Sequence, residues 1–209
     1  KSKSKSIKAY YLLILIEYYH LKNNYTEHKY TVQKLINLLE KNQFLTNNNR
    51  MCILHIRLAY LSLIVADFLT ALKEIEDGLA YLEGVAKAAH SQLEKVKVLV
   101  LLNRLDQAIL HAEWLALNYG DSEITLVSNA TSYYLSVISF LKQNYASSVI
   151  RIDAIKTLTK NKEGWNIWIR LLIIMCNIEL SDFDTSDKLI ESLRKFIQRH
   201  TKVDERIKV

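Results

Sequence analysis

The chain has 209 residues, of which 50% are hydrophobic and 24% are charged. This composition suits one elongated domain or two small ones, and it excludes a disordered chain. Proline is absent and glycine occurs only four times, whereas a β-rich protein of this size would need many more turn residues. The sequence therefore predicts helices joined by short polar loops.

The positive charge is concentrated at the two ends of the chain. Of the 28 basic and 22 acidic residues, six basic and two acidic ones lie in segments 1–6 and 201–209, so the rest is nearly neutral. A nucleic-acid-binding domain usually carries its basic excess on a folded face. We therefore expect residues 1–6 to be a basic tail or linker, residues 201–209 to be a polar tail, and the folded body to bind no nucleic acid.

The cysteines and the apolar runs predict a cytoplasmic protein. Cys52 and Cys176 form no Cys-x-x-Cys pair and lie in apolar stretches, where a cysteine acts as a small hydrophobic residue. The apolar runs at 10–16 and 171–178 are far shorter than a membrane span, so no membrane partner is expected. Because the chain begins with Lys rather than Met, we expect it to be a region of a larger protein.

Apolar residues recur at helical spacing along the whole chain and predict ten helices in five pairs. In chain order the paired helices are 7–22 with 25–40, 50–65 with 68–82, 87–102 with 105–118, 123–141 with 145–158, and 165–180 with 183–199. These pairs give units at 7–40, 50–82, 87–118, 123–158 and 165–199, within one repeat domain over 7–200.

A polar residue followed by a large apolar residue stands between the two helices of each pair. These anchors are Asn24-Tyr25, Asp67-Phe68, Arg104-Leu105, Asn144-Tyr145 and Asp182-Phe183. The large residues stand 43, 37, 40 and 38 positions apart. A nearly fixed period in this range indicates a repeat protein.

Three columns of residues keep their character from unit to unit. The position three after the large residue is mostly small, as close helix approach requires: His28, Ala71, Ala108, Ser148 and Ser186. The position seven after it is apolar: Val32, Ile75, Ala112, Ile152 and Ile190. The position nine before it is small or apolar: Ile16, Ala59, Val96, Ser136 and Ile174. The repeating unit is thus a helix, a tight turn and a second helix.

The stretches at 67–72 (DFLTAL) and 104–109 (RLDQAI) resemble the turn and second-helix start of a tetratricopeptide (TPR) repeat, and Ala59 with Phe68 and Ala71 matches the family pattern. The units exceed the family's usual period of about 34 residues and lack its closing proline. The resemblance covers nearly the whole chain and indicates no subfamily. It implies an all-α fold, a right-handed α-solenoid of about five antiparallel helical hairpins forming a TPR-like superhelix.

The resemblance also implies that the first helices line a concave groove. The candidate partner-binding residues there are Tyr10, Glu17, Ile56, Tyr60, Lys97, Tyr133, Phe140 and Trp168. The alternative is that tight curvature closes the groove, so that these side chains form a core. For Trp165 and Trp168 we expect a seal between the fourth and fifth hairpins, with an aromatic binding patch as the alternative.

No pattern for chemistry is present. The six histidines form no His-Glu-x-x-His motif, and the glycines form no phosphate-binding loop. We expect His28 and His55 to pack at helix interfaces, and we predict no catalytic residue, no metal and no cofactor. The leading hypothesis is a non-enzymatic scaffold for an unidentified protein or peptide. The alternatives are a ligand- or peptide-sensing domain of a bacterial signalling or transcription protein, and a self-associating structural module that forms homo-oligomers.

Overall fold

The computed structural model describes residues 2–82, 85–119, 125–153, 155 and 165–199. Within these ranges the chain forms ten α-helices and a short 3-10 helix over Gln43–Leu45, and no strand. The helices are α1 Ser2–Leu21, α2 Tyr25–Glu40, α3 Asn48–Ile64, α4 Phe68–Leu79, α5 Val85–Leu101, α6 Leu105–Tyr119, α7 Thr125–Leu141, α8 Tyr145–Asp153, α9 Trp165–Glu179 and α10 Phe183–Arg199. The all-α prediction is confirmed, and none of the described helices is long and apolar enough to cross a membrane.

The chain divides into two compact units, Lys1–Asn103 and Arg104–Val209. In unit 1, helices α1 to α5 pack in series, each on the next. In unit 2, helices α6 to α10 do the same. The two helices of the predicted third pair, α5 and α6, therefore fall in different units.

The first helix begins earlier than the sequence pattern predicted. It starts at Ser2, so the segment expected to be a basic tail belongs largely to α1. Lysine is a good helix former and nothing in this stretch breaks a helix, and Lys5 donates a side-chain hydrogen bond to Asn42 Oδ1. The other helix ends lie within three residues of their predicted positions, except that α8 extends over Tyr145–Asp153 and its predicted end at 158 lies outside the described residues. Residue 1 and segment 201–209 lie outside the described residues.

Each turn between paired helices contains one residue with a left-handed backbone. These residues have φ between 52° and 61° and directly precede the polar anchor residues: Asn23, Ala66, Asn103, Gln143 and Ser181. In the first turn, the N–H of Asn23 donates to His20 O and the N–H of Asn24 donates to Tyr19 O. The same pair of bonds recurs in the second, fourth and fifth turns. This is the usual way of closing the C-terminus of a helix, with a non-glycine residue in the place that glycine commonly takes.

The polar anchor residue then starts the next helix. The side-chain oxygens of Asn24, Asp67, Asn144 and Asp182 each accept a hydrogen bond from the backbone N–H three residues later, at 3.1–3.3 Å. Such N-caps satisfy a backbone donor that has no partner within its helix. The recurring polar–apolar pair therefore has a physical basis: its polar member is the cap.

The three columns of residues that keep their character from unit to unit form the core. All five residues three positions after the large anchor residue are buried, and so are all five residues nine positions before it. In the column seven after it, four are buried, but Ile190 is 41% exposed. This residue lies on α10, which packs mainly against α9 and so leaves its other side toward solvent.

Helices α3 and α4 approach each other closely at Gly78. A Cβ atom there would lie 3.0 Å from His55 Cβ and 3.3 Å from the backbone oxygen of Cys52. Any side chain at Gly78 would therefore push α3 away, so the close packing of these two helices requires glycine there. Cys52 and Cys176 are buried free thiols, as expected for small core residues, and burial raises the pKa of the Cys176 thiol.

Candidate binding cavity

A cavity of about 810 Å³ opens in unit 1. Its volume lies in the range of small-molecule and peptide pockets. Three first helices supply most of its wall, namely α1, α3 and α5. The lining residues are Glu17, His20, His28, Asn49, Cys52, Ile53, Ile56, Arg57, Ala59, Tyr60, Leu63, Leu82, His90, Ser91, Glu94 and Lys97.

Helix α3 provides the apolar wall of the cavity. It carries apolar residues on two sides, because Leu54, Leu58 and Leu61 pack into the core formed with α2. Its other side turns Ile53 and Tyr60 toward the cavity, where they are 56% and 52% exposed. Exposed aromatic and aliphatic side chains in a concave setting are typical of binding surfaces.

Two ion pairs lie on the cavity wall. Arg57 Nη2 on α3 is 2.6 Å from Glu17 Oε1 on α1. Lys97 Nζ is 3.5 Å from Glu94 Oε2, and both of these residues belong to α5. All four side chains are partly exposed, so each pair contributes little to stability. Each pair can exchange its internal contact for a charge on a bound molecule, and the cavity can thus accept groups of either sign.

A buried histidine without hydrogen-bond partners also lines the cavity. His28 is 3% exposed, and neither of its ring nitrogens has a partner in the described part of the chain. Its ring meets His20 edge to face at 5.6 Å. Burial, followed by the charges of Arg57 and His20, lowers the pKa of His28, against an opposing effect of Glu17. The imidazole is therefore neutral at pH 7, with one donor and one acceptor available to a bound group.

The structure brings four of the eight sequence-predicted residues together. Glu17, Ile56, Tyr60 and Lys97 all line this cavity. Tyr10 lies on α1 outside the cavity lining and is 66% exposed. In unit 2, Tyr133 and Phe140 are partly buried against the cluster of Ile152, Leu172 and Cys176, as the alternative of a closed core describes.

Trp168 does not act as the expected seal between hairpins. It is 53% exposed, so at least half of its surface faces solvent rather than a neighbouring helix. Its position on α9 follows from the buried face of that helix, which Ile167, Leu171 and Ile174 occupy. The side chain of Trp165 lies outside the described residues.

Sequence reasoning missed the polar members of the cavity. Arg57 lies four residues after Ile53 and three before Tyr60, so helical spacing places it on the same side of α3 as these two residues. Glu94 lies in the same way between His90 and Lys97. Helical spacing indicates both residues, but the predicted lining contained only apolar and aromatic residues besides Glu17 and Lys97. His28 could not be assigned to the cavity, because its column is otherwise small and buried.

A second polar cluster lies between α3 and α4. His55 Nδ1 is 2.8 Å from Glu74 Oε2, and its ring stacks on Tyr81 at 5.7 Å. Asp77 brings a third possible metal ligand, with the three ligand atoms within 4.8 Å of one another. The hydrogen bond to Glu74 and the stacking on Tyr81 account for the position of His55, and Asp77 is exposed. The prediction that His28 and His55 pack at helix interfaces is confirmed by their burial.

Comparison with known proteins gives the fold its name. No family model and no curated protein matches the chain. Among solved structures, the TPR-like repeats of a Podosopora anserina kinesin light chain are 13% identical, with a TM-score of 0.71 over 92% of this chain and 97% of that one. BtubC from P. vanneervenii is 10% identical, with a TM-score of 0.76 over 94% of this chain and 87% of that one.

The apo form of RapI gives a TM-score of 0.81 at 7% identity, over 92% of this chain and 71% of that chain. Three proteins that are only 7–13% identical to this chain thus share its arrangement of helices. The chain has the TPR-like helical-repeat fold of the α-solenoid class, as the sequence resemblance implied.

Proposed function

We propose that this protein is a non-catalytic scaffold that binds a segment of another protein or a peptide in the cavity of unit 1. The observation that carries the proposal is a ligand-sized cavity whose α3 wall leaves Ile53 and Tyr60 more than half exposed. Solvent-exposed apolar side chains gathered in a concavity gain free energy when a partner covers them. The TPR-like fold supports the same conclusion, since solenoids of this class present extended concave surfaces.

The lining suggests what kind of segment fits. An apolar or aromatic side chain would lie against Ile53, Ile56 and Tyr60. Charged groups beside it would meet the Glu17–Arg57 and Glu94–Lys97 pairs. A peptide offers this mixture along a few residues, whereas a polyanion would meet two carboxylates on the same wall.

Binding is proposed rather than catalysis because the thiol in the cavity lining meets a hydroxyl and not a base in the described part of the chain. An activated nucleophile needs a base within hydrogen-bond reach. Cys52, the thiol in the lining, is 4% exposed and meets the hydroxyl of Ser91 at 3.4 Å, and a hydroxyl is not a base at neutral pH. The buried free thiols support a cytoplasmic location. The nearly neutral body supports a protein rather than a nucleic acid as the partner.

His28 favours a second function, a ligand- or peptide-sensing regulatory domain. A neutral, buried imidazole whose two nitrogens have no hydrogen-bond partner among the described residues lowers the stability of the empty protein. A guest that hydrogen-bonds to it would remove this penalty. The sensing function therefore predicts a protein that is strongly stabilised by its ligand, and the scaffold predicts a smaller effect.

The scaffold can be tested with peptides selected from a displayed random dodecapeptide library. Tyr60→Ala should weaken the selected peptides by about tenfold or more, because an aromatic anchor commonly contributes about 2 kcal/mol to binding. Calorimetric titration measures the effect. Tyr30→Ala is a matched control: Tyr30 lies on α2 outside the cavity lining and is 53% exposed, against 52% for Tyr60. Equal affinity for both variants, or a library without binders, would show the proposal to be wrong.

A further inference from the structure

The outward face of α1 carries a continuous apolar stripe. Five large side chains are exposed by half or more: Ile7 69%, Tyr11 58%, Ile14 68%, Tyr18 51% and Leu21 80%. Their spacing of four and three residues places them on one side of the helix. The opposite side is buried, since Ala9, Leu12 and Ile16 are at most 5% exposed. The helix is thus apolar nearly all round, which is typical of a helix covered on both sides.

The other first helices reveal what this stripe corresponds to. When the helices are aligned on their turn anchors, Tyr18 stands in one column with Leu61 of α3, Val98 of α5, Ile138 of α7 and Cys176 of α9. All four counterparts are at most 3% exposed. Tyr11 aligns in the same way with Leu54, which is 2% exposed. The column of Tyr18 is therefore a core column in the later hairpins, and the position of Tyr11 is a core position on α3. At the end of the stripe, Leu21 aligns with Ile64, Leu101 and Leu141, which are 39–48% exposed.

The second helix of the preceding hairpin covers these columns. Leu54 and Leu61 belong to one core cluster with Leu35 and Leu39 of α2. Cys176 belongs to a cluster with Ile152 of α8. The contact of a second helix with the following first helix recurs as α2 on α3, α4 on α5, α6 on α7 and α8 on α9. On α1 the same surface is present without its partner in the described residues.

The last helix has the opposite character. The side of α10 away from its core carries the charged residues Lys188, Glu191, Arg194 and Lys195, all exposed. Terminal repeats of a solenoid need such a polar outer face for solubility. Helix α10 therefore has the surface of a capping helix, and α1 has the surface of an internal one.

We propose that the stripe on α1 is a stacking face for the second helix of a further helical hairpin of this same repeat class. That helix would take the position on α1 that α2 takes on α3. It would carry a small residue three positions after its turn anchor, as α4 and α6 do with Ala71 and Ala108. Seven positions after the anchor it would carry an apolar residue, as α2, α4 and α6 do with Val32, Ile75 and Ala112. Tyr11 and Tyr18 would then be buried like their counterparts. The proposal is independent of what the cavity binds.

A tandem protein tests this proposal. A copy of residues 2–47 is joined to residue 5 of the chain, because Asn48, which follows residue 47, aligns with Lys5. The copied α2 then precedes α1 in the register in which α2 precedes α3. Amide hydrogen exchange in the second α1 should slow by about tenfold or more relative to the original chain, because burial of even one large apolar side chain has an effect of this size.

The matched control is the same tandem with Tyr11→Glu and Tyr18→Glu in the second α1, which should exchange there as fast as the original chain. Circular dichroism shows whether both tandems are folded. Equal exchange in the tandem and the original chain would overturn the proposal, as would an unfolded tandem. It would also be overturned if the original chain formed a dimer that Tyr18→Glu dissociates, because a second copy would then be the occupant of the stripe.

Discussion

Residues in the left-handed conformation carry strain that can be removed. Ala66 has φ 58°, which costs a non-glycine residue about 1–2 kcal/mol, while glycine loses about 0.5–1 kcal/mol more entropy on folding. Ala66→Gly should therefore stabilise the protein by about 0.5–1 kcal/mol, measured by denaturant unfolding. Ala116→Gly is the control: this residue lies exposed within α6 and should lose about 1 kcal/mol. A loss of stability in both variants would contradict the strain at Ala66.

Helix caps make stability depend on pH where the cap is an aspartate. Hydrogen bonds from the side chain and backbone of Thr70 lower the pKa of Asp67, and those of Thr185 lower the pKa of Asp182. When folding lowers the pKa of a carboxyl group, the group stabilises the protein at pH values above its ordinary pKa of 3.8. This contribution is lost as the pH falls through the lowered pKa of the folded protein. Asn24 and Asn144 cap α2 and α8 without titrating.

Below pH 3.8, the melting temperature should therefore fall less for the double variant Asp67→Asn with Asp182→Asn than for the original chain, each compared with its own value at neutral pH. Near pH 7 the two proteins should melt alike, because asparagine caps a helix about as well as aspartate. Melting curves from pH 7 to pH 3, followed by circular dichroism, measure the difference. Parallel curves over the whole range would mean that these caps do not contribute to the acid sensitivity.

The helical hairpins could be predicted from the sequence because one local event repeats. Each turn needs a left-handed residue, then a cap, then a large apolar residue, so the pair Asn24-Tyr25 and its counterparts mark the turns directly. The start of α1 could not be predicted in this way. Its first residues alternate Lys and Ser and carry no apolar pattern, and a contact distant in sequence, Lys5 with Asn42, accompanies their helical conformation.

The candidate site was only half predictable, for a different reason. Helical spacing tells which residues of one helix share a side, and this placed Ile56 and Tyr60 in the cavity. It does not tell which helix faces open space. In unit 2, Tyr133 has the same place in its repeat as Ile56, yet it packs against the cluster of Ile152, Leu172 and Cys176. The difference depends on packing between helices, which the pattern within one helix does not contain.

A stack in which each helix contacts mainly its neighbours should lose stability locally. Leu39 is fully buried in the core shared by α1, α2 and α3, so Leu39→Ala should cost about 2–5 kcal/mol there. Hydrogen exchange should quicken in α1 to α3 and remain unchanged in α10, because stability in repeat arrays is a sum of unit and neighbour terms. Leu193→Ala, on α10 and 8% exposed, should give the reverse pattern. If either substitution quickened exchange equally in α1 and α10, all 209 residues would open as one cooperative structure, and the helices would not behave as a series of neighbour contacts.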